Sequence, residues 1–280
     1  MRAPTRISQR QIEELSLRIG NREKEILRSL QTCRYLTTKQ ITRLHFNNSS
    51  TKTAATRASN RSLSKLKDYG LIGALERRVG GTVHGSDPYI WSLTAAGFRL
   101  INLDNLDYSS RKRYLEPSFY FLAHTLIIAE AYLQLRDICP KSGATLADVQ
   151  FEPECWRWHK SNKGKPIALK PDLFAAVRFE GYEDRYFIEI DRDTVTLQMI
   201  IRKCNAYLHY LKTGAEQKKH GVFPYVLWIV PNKKRYESVR AALQEQFPKL
   251  QQLFIVITPD ELETLITGGV EAYRKGDRKL

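Results

Sequence analysis

Residues 49–93 constrain the fold of this chain more than any other segment does. Wound at about 100° per residue, the first half of this segment predicts an amphipathic helix with small and apolar side chains on one side. The other side carries Arg57, Arg61 and Lys65 at four-residue intervals, with Lys52 in the first turn. A helix with this basic front fits the major groove of DNA, which is wide enough to admit it. A solvent-exposed amphipathic helix without a ligand is the alternative.

The residues after this helix predict a two-stranded wing. Gly70 ends the helix as a C-terminal glycine does, and residues 71–93 contain two short apolar strands around a glycine-rich tip. The tip contains Arg77 and Arg78, which can reach the DNA backbone or the minor groove. The order helix, glycine, strand, basic tip, strand is typical of a winged helix-turn-helix domain. A winged helix that makes only protein contacts is the alternative.

Two further helices are expected upstream, at residues 21–30 and 38–46, and they complete the three-helix core that a helix-turn-helix domain requires. We therefore predict a winged helix-turn-helix DNA-binding domain at residues 21–103. A basic N-terminal arm at residues 1–20 precedes it. A polar and basic linker at residues 104–118 follows it.

The charge of the chain favours a polyanionic partner. The formal net charge is +15, from 45 Lys and Arg against 30 Asp and Glu. Residues 1–118 hold 21 of these basic residues and 10 of the acidic ones, so most of the excess lies with the predicted DNA-binding domain. The partner that this distribution indicates is double-stranded DNA.

The cysteine pattern and hydropathy bear on the cellular location. The four cysteines are far apart and form no CxxC pair, which argues against a zinc ribbon. No apolar run approaches the roughly 20 residues of a membrane span. Without a secretory signal, the chain is expected to be a cytoplasmic protein with reduced thiols and no membrane partner.

Residues 119–280 predict a second domain, which makes the chain α+β in class. A strongly apolar helix opens this domain, followed in order by three strands, a helix, a strand, a helix and a strand. Glu130 lies on the first helix, and Asp172 begins the second strand. Glu189 and Asp191 end the third strand, where the alternation of side chains places them on the same face.

This order of elements, with its acids, resembles the core of the PD-(D/E)xK nuclease superfamily. The resemblance implies a restriction-endonuclease-like fold in which Asp172, Glu189 and Asp191 hold Mg²⁺, with Glu130 as a further catalytic acid. Asp191 stands where the superfamily has its lysine, so the resemblance implies Lys203, on the following helix, as the catalytic cation. The alternative is that Glu189 and Asp191 are strand-end charges paired with Arg192, Arg202 or Lys203.

The complete pattern resembles the replication–relaxation family of bacterial plasmids and integrative elements, over residues 23–257. The resemblance rests on the N-terminal winged helix, on the helix centred on His124, on segments 170–172 and 187–194, and on Lys203 with Tyr207. It implies a double-stranded DNA-binding accessory protein that acts in plasmid replication, in relaxation during mobilisation, or in their regulation, with an inactive nuclease-like second domain. A relaxase or replication proteins are the implied partners, and a homodimer is compatible with the sequence.

Other functions stay open at this level. One is a Mg²⁺-dependent DNA endonuclease or nickase that uses the acids and the lysine of the second domain. Another is a winged-helix transcriptional regulator whose second domain binds a ligand or dimerises. Residues 156–160 are aromatic and basic, so they could stack on unpaired bases, or they could form a strand edge or hairpin packed on its own domain.

Overall fold

In the computed structural model the chain divides into two compact units, Met1–Glu130 and Ala131–Leu280. The structure describes residues 7–75, 89–103, 117–161, 164–250 and 252–277, with side chains up to residue 274 in the last range. Both units contain helices and strands, which confirms the mixed α and β composition expected from the sequence. The predicted linker, residues 104–118, lies almost entirely outside the described residues.

The first unit consists of helices around a small antiparallel sheet. Its helices are α1 (Gln9–Arg18), α2 (Asn21–Cys33), α3 (Thr38–His45), α4 (Lys52–Asp68) and α5 (Ala95–Ile101). Its strands are β1 (Leu36–Thr37), β2 (Ile72–Leu75) and β3 (Ile90–Leu93), which pair in the order β1-β3-β2. The three helices α2, α3 and α4 and the strand pair β2–β3 follow the order expected from the sequence.

Helix α4 has local signals at both ends. The Thr51 side chain accepts a hydrogen bond from the Ala54 amide at 3.1 Å and so caps the first turn. Gly70, at φ 68°, follows the last turn in the left-handed conformation that glycine adopts most readily. The buried side of the helix consists of Ala55, Ser59, Leu63 and Leu66, as its periodicity predicts.

Helix α6 (Phe119–Lys141) contributes to both units. In its first half, Leu122 and Leu126 form a buried cluster with Ile90 of β3. The unit boundary therefore lies within α6, whereas the sequence places the start of the second domain before this helix.

The second unit is built on a five-stranded mixed sheet. Its strands are β4 (Thr145–Phe151), β7 (Leu173–Phe179), β8 (Tyr182–Ile190), β9 (Tyr225–Ile229) and β10 (Phe254–Ile257), in the order β10-β9-β8-β7-β4. Strands β4, β7 and β8 pair antiparallel, and β8, β9 and β10 pair parallel. A separate hairpin, β5 (Arg157–Lys160) and β6 (Pro166–Leu169), lies between β4 and β7 in the chain.

Four further helices follow in this unit: α7 (Leu197–Leu211), α8 (Ala215–His220), α9 (Lys233–Gln246) and α10 (Leu262–Asp277). Helices α7 and α9 share one hydrophobic core with the sheet, to which Tyr207, Val239 and Phe187 contribute. Since Glu189 lies two residues after Phe187 on β8, alternation directs its side chain toward this helical layer. The sheet therefore places the acidic end of β8 beneath α7.

Candidate functional site

The basic face of α4 is open to solvent. Lys52, Arg57 and Arg61 are exposed, and Lys65 is partly exposed. Within the described residues, none of these four side chains forms a salt bridge or a side-chain hydrogen bond. Since the opposite side of α4 is buried in the core, its cations are held in a row on the surface of the first unit.

A shallow groove of about 270 Å³ extends this basic surface toward α2. Arg22 lines it opposite Arg61 and Lys65, with its guanidinium 5.0 Å from the centroid of the Phe46 ring. Ser62 on α4 donates a hydrogen bond to Glu23 on α2 at 3.0 Å and so joins the two helices. Sequence reasoning missed Arg22, because its position beside α4 depends on how the two helices pack.

Arg77 and Arg78, the predicted DNA contacts at the tip of the wing, lie outside the described residues. The described parts of the predicted wing are the paired strands β2 and β3. The roles of the two arginines stay predictions.

Glu130, the acid expected on the first helix of the nuclease-like core, makes its contacts within the first unit. Its carboxylate accepts hydrogen bonds from the Arg43 guanidinium at 2.6 Å and from the side-chain amide of Gln40 at 3.2 Å. Gln40 also donates to the Leu126 carbonyl at 3.1 Å. These bonds join α3 to α6, and no contact in the described part of the chain supports a catalytic role for Glu130.

Asp172, Glu189 and Lys203 meet in the second unit. The Ile190 amide donates a hydrogen bond to Asp172 at 2.8 Å, which fixes this carboxylate at the start of β7. Glu189 is 1% exposed, and its two oxygens contact the Tyr207 hydroxyl and the Lys203 ammonium. The Lys203 nitrogen lies 3.9 Å from the nearer Asp172 oxygen. The structure thus brings together these two predicted acids and the predicted cation.

Burial and neighbouring charges shift the pKa values of Glu189 and Lys203. Burial raises the pKa of Glu189 to about 8, against the opposing effect of the Lys203 ammonium. Burial by itself would lower the pKa of Lys203, but the carboxylates of Glu189 and Asp172 raise it above its ordinary value. Glu152, which follows β4, contributes to this increase and was not singled out from the sequence. The cluster therefore holds a lysine that is charged at neutral pH.

Asp191 has a different partner. Its carboxylate lies 2.5 Å from the Nε atom of Arg235 on α9. It also accepts a hydrogen bond from the backbone amide of Asp193 at 3.0 Å. Arg235 further contacts Asp193 at 3.2 Å and donates to the Val195 carbonyl at 2.7 Å. The sequence did not reveal Arg235, because this partner is 44 residues away in the chain. Asp191 is thus part of a buried ion pair between β8 and α9.

The acids of the implied Mg²⁺ site have protein partners that compete with metal binding. Mg²⁺ takes octahedral oxygen coordination, usually through one or two carboxylates and several waters. Among the residues that the structure describes, no three His, Cys, Asp or Glu side chains are grouped so that they could hold a metal ion. Glu189 is occupied by Tyr207 and Lys203, and Asp191 is occupied by Arg235. The positive charge beside the acids is supplied by Lys203.

Comparison with known proteins identifies the family. A family model described as replication-relaxation matches residues 27–226, which is more than half of the chain. The chain belongs to the replication-relaxation family. The matched residues run from α2 to β9 and include Asp172, Glu189 and Lys203, but not Arg235.

The family resemblance seen in the sequence is thereby confirmed, and membership in the replication-relaxation family indicates a role in replication or relaxation. No curated protein and no solved structure gives a significant match. Within the described residues, no helix is both long enough and apolar enough to cross a membrane.

Proposed function

We propose that this replication-relaxation family member is an accessory protein that binds double-stranded DNA and acts in the replication or relaxation of a bacterial mobile element. The observation that carries the proposal is the exposed row Arg57, Arg61 and Lys65 on α4, with Lys52 in its first turn. Membership in the family supports the biological process. The formal charge of +15 supports a polyanionic partner.

The first unit supports the proposed mode of binding. Helices α2, α3 and α4, followed by the pair β2–β3, occur in the order of a winged helix-turn-helix domain. In this proposal α4 enters the major groove, where Arg side chains can bind guanine edges or phosphates. Arg22 lines the shallow groove on the protein surface beside α4, where it can contact a phosphate of the same duplex.

The second unit is proposed to have a structural or assembly role on a restriction-endonuclease-like core. The arrangement of β4, β7, β8 and β9, three antiparallel strands followed by a parallel one, supports this fold. The ion pairs Glu189–Lys203 and Asp191–Arg235 engage the acids that a nuclease would use for metal binding. These contacts support scaffolding or partner binding over cleavage, with a relaxase or a replication protein as the partner class.

Fluorescence anisotropy with labelled duplex DNA from the native origin region tests the proposal. The variant Arg57→Ala plus Arg61→Ala is expected to bind the duplex about 10- to 100-fold more weakly than the wild type. It lacks two of the side chains that contact the DNA major groove in this proposal. The slope of log K against log salt should fall by roughly 0.9 for each phosphate that the variant no longer neutralises.

A matched control removes the same charge from the second unit. Arg202→Ala plus Lys234→Ala changes two exposed cations on α7 and α9 and is expected to bind duplex DNA like the wild type. Equal duplex affinity for the wild type and the Arg57/Arg61 variant would contradict the proposal. A loss as large in the control would show that net charge, rather than α4, determines binding.

A further inference from the structure

The β5–β6 hairpin is anchored to the second unit through one face. Its register pairs Arg157 with Leu169 and His159 with Ile167, so these four side chains share a face. Leu169 is buried in the core of the unit.

Arg157 is the main anchor of this face. Its Nε atom lies 2.7 Å from the buried carboxylate of Glu216, and its guanidinium lies 5.0 Å from the centroid of the Phe174 ring. Glu216 also accepts a hydrogen bond from the Tyr210 hydroxyl at 2.9 Å. These contacts fix the position of the hairpin on its own unit. This agrees with the alternative in which residues 156–160 form a hairpin packed on its own domain.

The opposite face of the hairpin presents an exposed tryptophan. Trp158 pairs with Ala168 in the register, and its side chain is 68% exposed. The other three tryptophans are covered: Trp91 and Trp228 are buried, and the Lys170 ammonium lies 4.2 Å from the ring centroid of Trp156. A large aromatic ring held in solvent on an anchored strand contributes little to the core, which makes it a candidate contact for a partner.

The surroundings of Trp158 are strongly basic. Residues 157–170 contain five Lys and Arg and no Asp or Glu. Arg157 is neutralised by Glu216, whereas Lys160, Lys165 and Lys170 are exposed. An exposed ring among uncompensated cations is complementary to a ligand that carries both a flat apolar face and negative charge.

Unpaired DNA has both properties. A base in a single strand exposes its flat faces, and its phosphates carry the charge, whereas bases within a duplex stack on one another. An acidic peptide provides the charge without a row of flat rings. The hairpin also leads directly through Lys170 and Pro171 into Asp172, so it adjoins the carboxylate cluster of the same unit.

We propose that the outer face of the β5–β6 hairpin binds single-stranded DNA. In this proposal Trp158 stacks on an unpaired base, and Lys160 on the same face and Lys165 in the adjoining turn lie beside the flanking phosphates. Anchoring by Arg157 keeps the ring in place, so little conformational freedom is lost on binding. Because this surface belongs to the second unit, the inference does not depend on duplex binding by α4. Replication and relaxation both generate unpaired strands, so the activity is compatible with either process.

The test is fluorescence anisotropy of the full chain with a labelled oligothymidylate of about 20 nucleotides, long enough to cover a typical single-strand site. Trp158→Ala is expected to weaken binding by about tenfold, the effect of removing one aromatic ring that stacks on a base. Trp158→Phe keeps an aromatic face and should lose much less affinity. The matched control is Tyr182→Ala, which removes a half-exposed ring of the same unit that lies beside Glu180 and Glu183.

Tryptophan fluorescence provides a second readout that folding defects would not imitate. Stacking on a base should quench the emission of Trp158 in the wild type. Trp158→Phe should bind the oligonucleotide without this quenching. The variant Lys160→Ala plus Lys165→Ala should reduce the salt slope by roughly 0.7 for each phosphate that these lysines neutralise in the wild type.

Two outcomes would overturn the inference. One is a Trp158→Ala variant that binds oligothymidylate as tightly as the wild type. The other is equal competition by polyglutamate of the same length, which would show that charge alone determines binding. The Arg57→Ala plus Arg61→Ala variant distinguishes the two proposals, since it should lose duplex binding and keep the quenching by single strands.

Discussion

The ammonium group of Lys203 contacts the buried carboxylate of Glu189, and the same carboxylate accepts a hydrogen bond from Tyr207. This relationship places a lysine from α7 against an acid at the end of β8. It gives both buried oxygens of Glu189 a polar partner within the protein, so the stability of the second unit depends on these contacts.

Removal of Lys203 should destabilise the second unit. At pH 9, above the pKa of Glu189, Lys203→Met leaves the buried carboxylate without its cation, and we expect the free energy of unfolding to fall by about 3 kcal/mol. The double variant Lys203→Met plus Glu189→Gln should recover most of this loss, because it removes both charges. Urea unfolding monitored by circular dichroism measures both values. A single variant as stable as the wild type would show that the pair contributes nothing.

The stability of the protein should depend on pH through Glu189. Its pKa is raised from 4.5 to about 8 by burial, so between these values the folded state binds more protons than the unfolded state does. The free energy of unfolding contributed by this group therefore decreases as pH rises across that window. Glu189→Gln lacks the effect, so the wild type should lose stability relative to this variant between about pH 5 and pH 8. A difference independent of pH, measured by thermal unfolding, would contradict the shift.

The pair Asp191–Arg235 should contribute to folding but not to duplex binding. Arg235→Met leaves the buried Asp191 carboxylate without its cation, and we expect a loss of about 3 to 5 kcal/mol in the free energy of unfolding. Exposed Lys234 on the same helix provides the control, since Lys234→Met should change stability by less than about 0.5 kcal/mol. Denaturant unfolding compares the two variants, and similar effects would argue against a special role for Arg235.

Mg²⁺ should not produce cleavage of DNA by this protein. Glu189 and Asp191 are engaged by Lys203 and Arg235, whose cationic groups compete with a metal ion for the two carboxylates. Supercoiled plasmid that carries the native origin should therefore stay uncut with Mg²⁺, for the wild type and for Asp172→Ala plus Glu189→Ala. Mg²⁺-dependent nicking by the wild type that the double variant lacks would instead establish the nuclease function.

Some features of the site could be predicted from sequence periodicity. The basic and buried sides of α4 follow from the spacing of Arg57, Arg61 and Leu63 at 100° per residue, which needs no knowledge of the remaining chain. Alternation along β8 likewise places Glu189 and Asp191 on one face. Lys203 became a candidate cation for the acids through the resemblance to the nuclease superfamily, not through periodicity.

Contacts between distant segments could not be predicted in this way. Arg235 is 44 residues from Asp191 in the chain, and only the packing of α9 on the sheet brings it to the end of β8. Glu130 was expected among the acids of the second domain, but its contacts are with Arg43 and Gln40 of α3.

The sequence by itself determined the basic face of α4, the family and the order of most elements, because local spacing and motif residues carry this information. It did not predict α8 or α10. The tertiary structure alone decided which charges meet, since an ion pair depends on the packing of helices on a sheet. It also decided that Trp158 stays exposed on an anchored hairpin, because burial depends on which face of the β5–β6 pair packs on the core.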